Sequence, residues 1–67
     1  MQIIVNGTPM HLQTAPMTVQ ALVTHMQLTG KRIAIERNGD IVPRSQFEQV
    51  VLQPGDTLEI VGAVGGG

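Results

Sequence analysis

Apolar and polar residues alternate over the first five positions, with Met1, Ile3 and Val5 on one side and Ile4 on the other, which predicts a short strand. Asn6-Gly7 follows. Both residues tolerate positive φ, so the pair predicts a two-residue type I′ hairpin. The return strand covers residues 8–13, with Met10 and Leu12 on one face. Pro9 has no N–H, which suits an edge strand or a strand start. The period then changes. Val19, Leu22, Val23 and Met26 fall at i, i+3, i+4 and i+7, an apolar stripe that predicts one substantial helix over residues 18–28. Thr18 can cap it by accepting from a first-turn N–H. Met17 can pack on Leu22 as a hydrophobic staple, and Gly30 is placed to end the helix in a left-handed conformation.

Alternation returns at residues 33–37, with Ile33 and Ile35 on one face. Asn38-Gly39 predicts a second tight turn, and Ile41-Val42 a very short strand stopped by Pro43. Residues 43–48 read as one helical turn that buries Phe47, with Ser45 and Glu48 at capping-box spacing. Gln53-Pro54-Gly55-Asp56 is a strong turn, because proline presets φ and glycine relieves strain at the next position. The last strand covers residues 57–61. Leu58 and Ile60 share one face, and Thr57, Glu59 and Val61 the other. The order is hairpin, helix, strand, short strand, turn, strand. One helix over a small mixed sheet of four to five strands buries these faces most economically, an α+β β-grasp arrangement with the first and last strands adjacent at the centre.

Size restricts the function classes. The chain has 67 residues, 42% of them apolar, and no cysteine. It is one domain, residues 1–67, expected to bury about 60% of its unfolded surface. Disulfides and cysteine-based metal sites are excluded. There is no room for a separate substrate or dinucleotide domain, so a stand-alone enzyme is not expected. Four basic and five acidic residues leave a net charge of −1, and Phe47 is the one aromatic. A nucleic-acid partner is therefore not expected either. No apolar run approaches the roughly 20 residues that span a bilayer. The first residues lack a signal-peptide pattern, and a soluble cytoplasmic protein is the expectation.

Side-chain chemistry is sparse. His11 and His25 read as surface residues with no acidic neighbour in sequence to orient them as metal ligands. Ser45 reads as a cap, Arg37 and Arg44 as solvated or partner-contacting residues, and the four methionines as core filler. The C-terminal segment is different. Of eight glycines, Gly62, Gly65, Gly66 and Gly67 fall in the last six positions. An inert flexible end is the plain alternative, but this segment follows the last strand directly and carries Ala63 and Val64. Six extended residues reach at most about 20 Å. Glycine has no Cβ, so residues 62–67 form an exposed, flexible tail that can thread a narrow channel and present the Gly67 carboxylate. A carboxylate becomes reactive once an oxygen is made a leaving group, as in an anhydride with AMP. Sulfur attack would then leave a thiocarboxylate.

Residues 33–47, with Asn38-Gly39-Asp40-Ile41-Val42-Pro43-Arg44, resemble the thiamine-pathway sulfur carrier family (ThiS), ubiquitin-like β-grasp proteins. So do residues 52–61, with Gly55-Asp56 before Glu59-Ile60, and the end Val64-Gly65-Gly66-Gly67. The resemblance covers essentially the whole chain. Phe47 stands where relatives often have tryptophan, Gly62-Ala63 replaces a bulkier pair, and the helix is less acidic than in some relatives. The resemblance implies a protein cosubstrate with no cofactor of its own. An E1-like adenylyltransferase would use ATP to adenylate Gly67. A sulfur donor fed by a cysteine desulfurase would make the thiocarboxylate, and thiazole synthase would take the sulfur. Gly66 and Gly67 match the family's Gly-Gly end, with Val64 and Gly65 helping to thread it. The carrier is expected to be monomeric alone. The alternatives are the small subunit of molybdopterin synthase, and a β-grasp module that binds its partner non-covalently.

Overall fold

The computed structural model describes residues 1–13 and 16–62. Two tight hairpins frame it. Strand β1 (Gln2–Val5) turns at Asn6-Gly7 into β2 (Thr8–His11), and β3 (Ile33–Arg37) turns at Asn38-Gly39 into β4 (Asp40–Val42). Asn6, Gly7, Asn38 and Gly39 all have positive φ, from 52 to 90°, as two type I′ turns require. Strand β5 (Thr57–Gly62) completes a five-stranded sheet in the order β2-β1-β5-β3-β4. The central pair β1–β5 is parallel and every other pair is antiparallel. Proline at position 9 is tolerated because β2 is an edge strand. The sheet has the expected mixed ubiquitin-like β-grasp form. β5 runs one residue further than the alternation predicts, because Gly62 finds Ile33 as its partner.

One helix, α1 (Val19–His25), covers the inner face. Ile3 and Val5 of β1, Ile35, Val42 and Leu58 point into the same core as Val19, Leu22 and Val23. Leu12, Phe47 and Leu52 close its ends. Each fully buried aliphatic side chain contributes roughly 1.5–3 kcal/mol. The helix start is held as predicted, with the Ala21 N–H donating to Thr18 Oγ1 at 3.0 Å. Two further first-turn donors are satisfied by chain far away: Val19 N–H reaches the Val50 carbonyl at 2.9 Å and Gln20 N–H the Phe47 carbonyl at 2.8 Å. The helix therefore sits on the segment around the 3₁₀ turn Arg44–Gln46.

Two local expectations are corrected. The helix stops at His25, not near Gly30. Leu28 N–H donates to the Val23 carbonyl at 2.9 Å and Gln27 N–H to that of Thr24 at 3.0 Å, a Schellman pair with Gln27 in the left-handed position at φ 61°. Gly30 serves a separate turn, at φ 82°, closed by Lys31 N–H on the Leu28 carbonyl. Ser45 caps nothing. The 3₁₀ turn starts after Pro43, with no side-chain cap, and Ser45 lies inside it. Phe47 is buried as expected. No helix among the described residues is long and apolar enough to cross a membrane.

Candidate functional site

The residues that the sequence marks for chemistry, Val64, Gly65, Gly66 and Gly67, lie outside the described residues. What the structure describes is the platform from which they continue, the end of β5. On one flank β5 pairs with all of β3, from Arg37↔Leu58 to Ile33↔Gly62. On the other flank it pairs with β1 only at Ile4↔Thr57 and Val5↔Leu58, because β1 turns away at Asn6. The Asn6 side chain continues the ladder. Its Nδ2 donates to the Ile60 carbonyl at 3.1 Å, and the Ile60 N–H donates to its Oδ1 at 2.8 Å. The strand is thus held on both flanks to within two residues of Gly62.

The start of β5 is fixed by a buried carboxylate. Asp56, 5% exposed, accepts from Arg37 Nε at 2.7 Å, from Asn38 Nδ2 at 3.0 Å and from the Gln53 N–H at 2.8 Å. Asn38 also accepts from the Thr57 N–H at 2.9 Å. Burial alone would raise the Asp56 pKa. The Gln53 N–H, the Arg37 and Asn38 hydrogen bonds and the Arg37 charge outweigh it and hold the carboxyl below its ordinary value. Arg37 is thus a structural partner, not a solvated or docking arginine. The sequence reading missed this network, and missed that both turn asparagines bond to β5. Neither role is visible without knowing that β5 lies beside β1 and β3.

The other end of β5 is open to solvent. Val61 is 63% exposed on the outer face, beside Ala34. Around it lies a groove of about 360 Å³ lined by Arg32, Ile33, Ala34, Arg44, Val61 and Gly62. Arg44 is held there: its Nη2 donates to the Lys31 carbonyl at 3.1 Å, and its guanidinium stands 5.8 Å from the Phe47 ring centroid. A Cβ at Gly62 would meet nothing within 4 Å, so the groove leaves the strand end unobstructed. His11 and His25 are both exposed, one on β2 and one on α1. Among the described residues no group of three His, Cys, Asp or Glu side chains could hold a metal. Among the described residues the arrangement presents a strand end and brings no acid, base and nucleophile together.

The ThiS family model matches residues 3–67. The sulfur carrier protein ThiS of Bacillus subtilis is 36% identical over 62 residues, covering 92% of this chain and 94% of that protein. A thiazole synthase of Paramagnetospirillum magneticum is 42% identical over all 67 residues, and the chain spans only 20% of its length. The crystal structure of the thiamine biosynthesis protein ThiS from Geobacter metallireducens superposes with a TM-score of 0.85 at 28% identity, over the whole of both chains.

Proposed function

The chain belongs to the ThiS family, and on that premise we propose that it is a sulfur carrier for thiamine thiazole synthesis, a protein cosubstrate and not a catalyst. The carboxylate of Gly67 attacks the α-phosphorus of ATP in an E1-like adenylyltransferase, and pyrophosphate leaves. A persulfide supplied from a cysteine desulfurase displaces AMP to give an acyl disulfide, and a second thiol of the donor then attacks its S–S bond, releasing the thiocarboxylate as the donor is left as a disulfide. Thiazole synthase then takes the sulfur. ATP belongs to the activating enzyme. Val64, Gly65 and Gly66 are the residues that pass through the partner's channel, and at Gly65 and Gly66 the missing Cβ lets the channel walls close onto the backbone.

The observation that carries this reading is the match to a thiazole synthase. A stretch 42% identical to all 67 residues occurs there within one longer polypeptide. Carrier and acceptor on a single chain would be held at high effective concentration, the arrangement a sulfur hand-over favours. The test is intact mass after incubation with the adenylyltransferase, ATP and a sulfur source. A sulfur-for-oxygen gain confined to Gly67 supports the reading. No gain with competent partners, or a gain elsewhere in the chain, refutes it. A product accepted by the large subunit of molybdopterin synthase, and not by thiazole synthase, would assign the carrier to that pathway.

A further inference from the structure

We propose that the groove between Arg32 and Arg44 docks a carboxylate-bearing rim of the adenylating enzyme, so that two arginines align the strand end with the channel that receives residues 63–67. The inference rests on the carrier reading and concerns what surrounds the exit of the tail. Five residues, 63–67, follow Gly62, and fully extended they would reach at most about 18 Å. An enzyme that encloses the Gly67 carboxylate must bring its surface close to Gly62, and therefore onto the groove lined by Arg32, Val61 and Arg44.

Among the described residues the guanidiniums there have no ion-pair partner. Among the described residues the one ion pair is Arg37 with Asp56, at the opposite end of β5. Among the described residues Arg44 has one side-chain hydrogen bond, to the Lys31 carbonyl, and Arg32 has none. Glu36 and Glu59 face each other further along β3 and β5, below the Ala34–Val61 pair. So Arg32 and Arg44, two of the four basic residues, line the groove at the Gly62 end of β5 in a chain whose net charge is −1. A partner that covers two guanidiniums strips their water, and a buried charge without a counter-ion is costly. Carboxylates meet that need, since the guanidinium fork matches them in a bidentate manner. A nucleotide phosphate fits less well. ATP must react at Gly67, the far end of the tail from this groove.

The test measures association of the full chain with the adenylyltransferase of the same organism by stopped flow, from low to high salt. Arg32→Glu is the first variant, because Arg32 supports no other side chain. Arg44→Glu is the second, with circular dichroism to confirm folding. His25→Glu, on the exposed helix, adds one negative charge at a site that does not line the groove. At low salt, Arg32→Glu is expected to slow association at least about tenfold and to flatten or invert its salt dependence, while His25→Glu changes it little. Wild-type rates and salt dependence in both arginine variants would overturn the docking proposal alone. A raised KM for ATP with unchanged association would place a phosphate in the groove and also overturn it. If the wild-type chain is not adenylated at Gly67, the carrier reading falls and the docking proposal with it.

Discussion

Asn6 and Ile60, 54 positions apart, exchange two hydrogen bonds, amide nitrogen to carbonyl and backbone N–H to amide oxygen. The asparagine does two jobs at once. Its backbone makes the hairpin at φ 52°, and its side chain replaces the rung that β1 gives up by turning.

Asn6→Ala is therefore expected to cost about 1–3 kcal/mol, combining lost hydrogen bonds with left-handed strain. Asn6→Gly removes the same bonds without the strain and is expected to cost less. Chemical denaturation of the three proteins measures both. An Ala variant as stable as wild type would show that the side chain does not support β5.

Asp56 sets the acid limit of stability. Its folded pKa is depressed, so its contribution is complete above the unfolded value, near about 4, and is lost as pH falls through the lower folded value. Asp56→Asn is expected to cost about 2–4 kcal/mol at pH 7 by leaving Arg37 and the Gln53 N–H poorly paired. The gap between variant and wild type should close as pH falls below 4. A gap that persists unchanged at pH 2 would contradict the assignment.

Gln27 ends the helix in a conformation glycine adopts more readily. Gln27→Gly is expected to stabilise the protein by about 0.5–1 kcal/mol, the relief of strain exceeding the added freedom of the unfolded chain. Thermal unfolding would show this as a raised Tm. A lowered Tm would mean that the glutamine side chain makes a contribution of its own.

Gly62 separates presentation from packing. A methyl group there meets nothing within 4 Å, and the residue pairs as ordinary strand. Gly62→Ala is expected to leave stability within about 0.5 kcal/mol of wild type. Any loss of adenylation in that variant would then report fit to the partner. A large loss of stability would refute the open geometry described here.

Much of the fold is legible in residue pattern because the signals are local. Asn6-Gly7 and Asn38-Gly39 demand positive φ, and the spacing of Val19, Leu22 and Val23 demands one helical face. The departures arise where a local signal had a non-local competitor. Gly30 looked like the helix stop, but Leu28 was drawn onto the core and Gln27 absorbed the reversal three residues earlier. Ser45 and Glu48 have capping-box spacing, but Pro43 starts the turn two residues before Ser45. Arg37 and Asp56 lie 19 positions apart, and their pairing follows only from the β3–β5 register. For the candidate site, the glycine-rich end proposed to react, which lies outside the described residues, is visible as composition. The arginines that flank its exit are not, since Arg32 and Arg44 come together through Lys31 and Phe47.

The parallel pairing of β1 with β5 has a consequence for synthesis. Ile4 meets Thr57 and Val5 meets Leu58, so the centre of the sheet joins nearly the two extremes of the chain. Contacts that distant close late, after the loop entropy of the intervening chain has been overcome. A nascent chain still missing β5 has no middle strand and cannot complete its core. The strand that closes the sheet is also the one that leads into the glycines. Completing the core and fixing the strand that leads toward the C-terminal glycines are thus a single event.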